Sequence, residues 1–187
     1  MTGQTATAPP LSLRERKKLR TRRELADAAL RLFYDKGYAE TTLDEIVDAV
    51  EVSKRTFFRN YESKEEVATA AEAELWTAYV ERVRDLDLVG PAVAALRDAL
   101  IDTLRDMPDG WDERFFVTRG LIAGTPALKS YSLNMSMRIQ FEIVEATAPK
   151  LDVAADHMEL RLAVEIVFGA YRCGAKDWIC DRKRGGR

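Results

Sequence analysis

Thr42–Tyr61 reads TLDEIVDAVEVSKRTFFRNY and decides the fold, because it holds two short helix patterns separated by a break. Leu43, Ile46, Val47 and Val50 stand at i, i+3, i+4 and i+7, the spacing that gathers apolar side chains on one helix face. Thr42 and Glu45 form a capping-box pair, in which each side chain satisfies a backbone N–H that the first helical turn leaves unpaired. Glu51, Val52 and Ser53 interrupt the pattern, and Ser53 suits the N-cap of a second helix running from Lys54 to Tyr61. That helix offers Lys54, Arg55, Thr56, Arg59 and Asn60, side chains that bond phosphates or base edges, while Phe57 turns inward as its anchor. Two helices joined by a short turn, the second one basic, make the plan of a DNA-reading unit.

Upstream, LRERKKLRTRRELADAALRLFYDKGY from Leu13 predicts one helix with a stripe of Leu25, Ala29, Leu32 and Phe33, stopped by Gly37. Its first half carries Arg14, Arg16, Lys17, Lys18, Arg20, Arg22 and Arg23, cations suited to a phosphate backbone or an adjacent minor groove. Residues 1–12, MTGQTATAPPLS, have little to bury and read as a mobile tail. Downstream, Ser63 with Glu66 is a second capping box opening one long helix to Asp85. It has two stripes, one through Val67, Ala71, Leu75, Ala78 and Arg82 and another through Trp76, Tyr79, Val80 and Val83, so it is buried on two sides.

Gly90-Pro91 starts the next helix, Asp109 or Asp112 the one after, and Thr125-Pro126 a Met- and aromatic-rich helix that reaches Ala148. The last helix is expected over Asp152–Ile179, with an apolar face wider than one packed neighbour needs, and the terminal RKRGGR is expected to fray. No segment alternates with period two, so the fold class is all-α. The expected organisation is a tail at 1–12, a three-helix helix-turn-helix domain at 13–62 and a C-terminal helical domain at 63–187.

Of the 187 residues 47% are apolar, enough for a substantial core. The net charge is only −2, but the first 23 residues carry +6 and leave −8 on the rest, a basic arm on an acidic body. No charged-then-apolar leader precedes Cys173 and Cys180, and no apolar run approaches the ~20 residues that span a bilayer. A soluble cytoplasmic protein with free thiols and no membrane partner is therefore expected. His157 is the single histidine, and zinc-ligand spacings, a nucleophile elbow, a phosphate loop and a dinucleotide fingerprint are all lacking. No enzymatic activity, metal or cofactor is expected.

The run from Thr21 to Ala70, with GYAETTLDEIVDAVEVSKRTFFRNYESKEEV at its centre, resembles the DNA-binding domain of the TetR family of bacterial transcriptional regulators. The parts come in that family's order: a basic amphipathic helix, Gly37, a Thr-Thr pair, the helix-turn-helix, an aromatic ending and Ser-Lys-Glu-Glu. The resemblance implies a homodimer on a palindromic double-stranded DNA operator, repression relieved by a small-molecule effector, and a C-terminal domain for effector binding and dimerisation. By position it implies DNA contacts from Lys54, Arg55, Thr56, Phe58, Arg59 and Asn60, with phosphate contacts from Thr42 and Lys64. Three features depart from the pattern. Glu51 stands where the family commonly has Gly, Phe58 where it often has Tyr, and the chain ends soon after Trp178, where many relatives carry a further helix of the dimer interface. SKRTFFRNYESKEE and the Arg172–Trp178 region also resemble the regulators of mycofactocin gene clusters, which implies a long acyl-CoA effector.

The helices after Glu66 supply the candidates for an effector pocket: Trp76, Tyr79, Trp111, Phe115, Arg119, Tyr131, Met135 and Arg138. Arg119 and Arg138 carry the most information, because a cation among apolar positions needs an acid of the chain or an anionic ligand. The alternative is an effector-independent DNA-binding protein, architectural or activating, whose C-terminal core is fully packed.

Overall fold

The computed structural model describes residues 12–185, so the tail expected over residues 1–12 lies, apart from Ser12, outside them. Among the described residues there are nine α-helices, one 3-10 turn and no strand, in agreement with the all-α reading. They are α1 (Leu13–Lys36), α2 (Leu43–Asp48), α3 (Lys54–Phe58), α4 (Lys64–Ala68), α5 (Ala70–Asp85), α6 (Ala92–Arg105), α7 (Trp111–Gly124), α8 (Pro126–Thr147) and α9 (Met158–Gly185). They form two compact units, one ending at Val67 and the other beginning at Ala68. No described helix is long and apolar enough to cross a membrane.

In the first unit α1 begins at a capping box, Ser12 with Glu15, and buries Leu25, Ala26, Ala29 and Phe33. Ile46 and Val47 from α2, Phe57 from α3 and Tyr61 complete the core. Local bonds set the helix starts. Glu45 N–H donates to Thr42 Oγ1 at 3.3 Å and Thr42 N–H to Glu45 Oε2 at 2.9 Å, the two halves of the expected box. The turn after α2 closes as a Schellman motif, with Val52 N–H on Val47 O at 3.0 Å and Glu51 N–H on Asp48 O at 3.1 Å. That motif needs a left-handed residue, and Glu51 supplies it at φ 54°.

The long helix expected from Ser63 to Asp85 is two helices instead, parted at buried Thr69, whose backbone lies at φ −104°, ψ 13°. At the second capping box the Glu66 carboxylate also serves other donors. Glu66 N–H donates to Ser63 Oγ at 3.1 Å, and the Glu66 carboxylate accepts from Glu62 N–H at 2.5 Å and from Arg22.

The second unit is built on α5, whose Leu75, Trp76, Tyr79, Val80 and Val83 are buried against Leu96 of α6, Phe115 of α7, Ile143 of α8 and Phe168 of α9. Polar side chains tie it together over long sequence distances. Trp111 Nε1 donates to Ala71 O at 2.8 Å, Tyr79 Oη to Leu96 O at 3.0 Å, and Lys150 Nζ to three carbonyls at the end of α5. Gly110, left-handed at φ 73°, caps α7 rather than Asp109 or Asp112. The final helix starts later than expected, at Met158, because the chain turns through left-handed Asp152. It also runs on to Gly185 instead of fraying. Arg182 secures that end through Asp112 and Glu113, at 2.8 and 2.7 Å, and lies over the rings of Phe116 and Trp178.

Candidate functional site

The α3 surface has a sharp division of labour. Phe57 is fully buried and anchors the helix, while Lys54, Arg55, Phe58 and Arg59, at i, i+1, i+4 and i+5, are exposed together on the opposite face. Arg55 and Arg59 have no ion pair or side-chain hydrogen bond among the described residues, so both guanidinium groups are available to an external acceptor. Lys54 sits 2.8 Å from Asp44, but both partners are more than half exposed, so a phosphate competes for it at little cost. Phe58 is 53% exposed, an apolar surface of the kind that meets a thymine methyl.

Four other expected DNA-contacting residues are engaged within the protein. Thr42 Oγ1 is exposed but shared with Glu45, whose carboxyl the Lys36 ammonium and the Thr42 N–H hold down to about 2. Thr56 is half-buried, its N–H on Ser53 Oγ at 3.1 Å. Asn60 is only 7% exposed, and its Nδ2 donates back to Thr56 O at 2.7 Å. Lys64 Nζ donates to Tyr38 O at 2.7 Å and Thr41 O at 2.9 Å and lies 4.2 Å from the Tyr38 ring centre, so two of its three donors are taken by backbone carbonyls.

Arg22, grouped by its sequence with the cations suited to a phosphate backbone, does something else. Its guanidinium donates to Asn60 O and, at 3.1 Å, to Glu66 Oε1, and it sits 4.1 Å over the Tyr61 ring. Tyr61 Oη returns a bond to Arg22 O at 2.9 Å. This closed set of contacts holds the C-terminal end of α3 against α1. Arg14, Arg16, Lys17, Lys18, Arg20 and Arg23 stay exposed along α1.

The second unit contains an apolar cleft of about 720 Å³ between α6, the start of α7 and α9. Of the eight expected lining residues, Trp111 and Phe115 are there, stacked on each other at 4.6 Å. Trp76, Tyr79 and Met135 are core residues, Tyr131 is half-buried elsewhere, Arg138 is exposed, and Arg119 pairs with buried Glu72 at 2.9 Å. Leu100, Ile101 and Leu104 of α6, Met107 just beyond it, and Ile166, Tyr171 and Trp178 of α9 form most of the wall. None of these α6 and α9 residues was expected in the lining from the sequence, although the extra width of the apolar face on the last helix was a signal that could have pointed to α9.

Three comparisons bear on these two surfaces. Residues 25–71 match the family model of bacterial regulatory proteins, tetR family, and residues 90–185 match that of the MftR C-terminal domain. The HTH-type transcriptional regulator TcmR of Streptomyces glaucescens is 30% identical over 172 residues, covering 89% of this chain and 76% of TcmR. YvkB of Bacillus subtilis (strain 168), an uncharacterized HTH-type transcriptional regulator, is 40% identical over 50 residues, 27% of this chain and 26% of YvkB. Among solved structures, Salmonella enterica GusR superposes with a TM-score of 0.50 at 18% identity, over 89% of this chain and 84% of that one, a likeness of fold alone.

Proposed function

This chain belongs to the TetR family, DNA-binding regulators of transcription that act as dimers and are not enzymes, and from that premise we propose a repressor released from a palindromic operator by a small, mostly apolar effector. The exposed, internally unpaired Arg55 and Arg59 beside exposed Phe58 carry the DNA-reading half of this proposal. In it the first unit reads the operator, with Lys54, Arg55, Phe58 and Arg59 in the major groove and the cations of α1 on the phosphates. The second unit binds the effector, and release follows if the effector binds more tightly to the state that does not hold the operator. The cleft of about 720 Å³ favours this reading over a fully packed, effector-independent regulator.

Dimerisation is assigned to the outer face of α8 and α9. Met137, Phe141, Met158 and Leu162 are each more than half exposed there and line a groove with the polar rim residues Gln140, Arg161 and Glu165. A second copy of this chain is the occupant, since apolar surface of this kind is costly in water and the family acts as dimers. Phe141→Glu is expected to convert the dimer to monomer in sedimentation, and an unchanged dimer would reject this face.

Genomic footprinting with the full chain supplies the operator on which the DNA reading is tested. Arg55→Ala or Arg59→Ala is expected to weaken operator binding by about 1–3 kcal/mol with a smaller loss on random duplex. Equal losses on both DNAs would end the base-reading assignment. Melting the protein against long acyl-CoAs and uncharged apolar compounds tests the effector, because a ligand of the native state raises Tm.

A further inference from the structure

Tyr171 stands on the wall of the cleft with its ring edge against Trp76, 4.7 Å between centroids, and Trp76 stacks on Phe168 at the same distance. Behind that wall three hydrogen-bonding groups are buried without a partner: Tyr171 Oη, Trp76 Nε1 and Arg119 Nε. Trp76 is itself only 1% exposed. None of them bonds to a neighbouring group. Glu72, one turn before Trp76 on α5, accepts from Arg119 Nη1 at 2.9 Å through Oε1 and from Ser132 Oγ at 2.7 Å through Oε2. Burial and the nearby Glu72 charge push the Tyr171 phenol up, so it remains a protonated donor at neutral pH. Buried donors are ordinarily paired, and a group of three around one ion pair marks a place where an acceptor belongs.

We propose that the ligand of the cleft is an uncharged, mostly apolar molecule whose carbonyl oxygen reaches past the Tyr171 ring into a recess that forms between Tyr171 Oη, Trp76 Nε1 and Arg119 Nε, which hold it. The proposal rests on the reading of the cleft as the effector site. The recess explains why the oxygen is neutral. Arg119 and Glu72 already cancel each other, and an added anion would be buried beside a carboxylate. The cleft itself offers an anion little. Arg97, the cation that lines it, is 2.7 Å from Asp98, and Asp109 and Asp112 line it too.

Three compounds with one diphenyl frame test this on the full chain by calorimetry: diphenylmethane, benzophenone and diphenylacetate. Benzophenone is expected to bind about tenfold more tightly than diphenylmethane, with diphenylacetate no better than the hydrocarbon. In Tyr171→Phe the benzophenone advantage should fall to about threefold or less while diphenylmethane affinity stays the same. Trp76→Phe, which also removes one N–H, should reduce it too. The Tyr171→Phe protein should melt no lower than the parent, since the hydroxyl it loses bonds nothing in the protein. Equal binding of benzophenone and diphenylmethane leaves the cleft an apolar ligand site and overturns the recess, as does a lowered Tm in Tyr171→Phe, which would mean that the hydroxyl serves the fold through a water. Tightest binding by diphenylacetate overturns the uncharged class. Binding of none of the three overturns the cleft reading and the recess together.

Discussion

The two units satisfy their polar groups by opposite means. In the first unit many bonds are local: Ser12 with Glu15, Thr42 with Glu45 and Ser53 with Thr56, each three residues apart. In the second they join distant parts of the chain, with Glu72 to Arg119 47 residues apart, Glu72 to Ser132 60 apart and Arg182 to Asp112 70 apart. A local bond is written in adjacent residues and can be read before folding. A distant one exists only once the helices have packed.

The largest expected effect tests the distant bonds. Arg119→Met leaves Glu72, 2% exposed, without its counter-charge and should cost about 3–5 kcal/mol at pH 8 in denaturant titration. Burial already raises the Glu72 carboxyl above its ordinary range, and loss of Arg119 raises it further. For a carboxyl raised in the folded state the destabilisation is full above its folded pKa and disappears below the unfolded value. The variant should therefore regain stability as the pH falls from 8 to 5. A loss that does not change with pH would break the contrast.

Arg22→Gln probes a distant bond inside the locally organised unit. It removes the contacts to Asn60 O, Glu66 and the Tyr61 ring and should destabilise by about 2 kcal/mol. Operator affinity should fall more than random-DNA affinity, because the end of α3 is no longer held in place. Equal losses on both, with an unchanged Tm, would make Arg22 a phosphate contact instead. Glu51→Gly is smaller and of opposite sign, since relief of the left-handed backbone should stabilise by about 1 kcal/mol and raise Tm.

Thr42→Ala is the smallest, a loss of about 1 kcal/mol or less at pH 7. Its pH dependence sharpens the comparison. The Glu45 carboxyl is held down to about 2, first by Lys36 and then by the Thr42 N–H. Stability from that lowered carboxyl is present above its ordinary value of 4.5 and is lost as the pH falls towards 2. Acid titration of the parent and of Glu45→Gln should therefore converge near pH 2. Parallel curves down to that pH would show that the lowered carboxyl contributes nothing.

What could be read in the sequence follows the same division. The capping pair at Thr42, the N-cap at Ser53, the inward Phe57 and the all-α class were visible, because each depends on spacings of three or four residues. Asn60 and Lys64 illustrate the limit. Both carry groups suited to DNA, and residue type alone could not show that Asn60 folds back on Thr56 O or that Lys64 reaches Tyr38 O and Thr41 O. In the second unit the aromatic residues were recognised, but a stripe of apolar residues looks the same whether it faces a neighbour or a cavity. Trp76 faces Phe168, while Trp111 and Phe115 border the cleft.

Residues close together in the chain were enough to specify most of the helices and the exposed basic face of α3, because helix propensity and apolar periodicity act over a few residues. The break at Thr69, the contacts of Arg22, the Glu72–Arg119 pair and the place of the cleft came from the packing of the helices. Each of these depends on which distant groups end up side by side, and burial raises the cost of leaving any one of them unpaired.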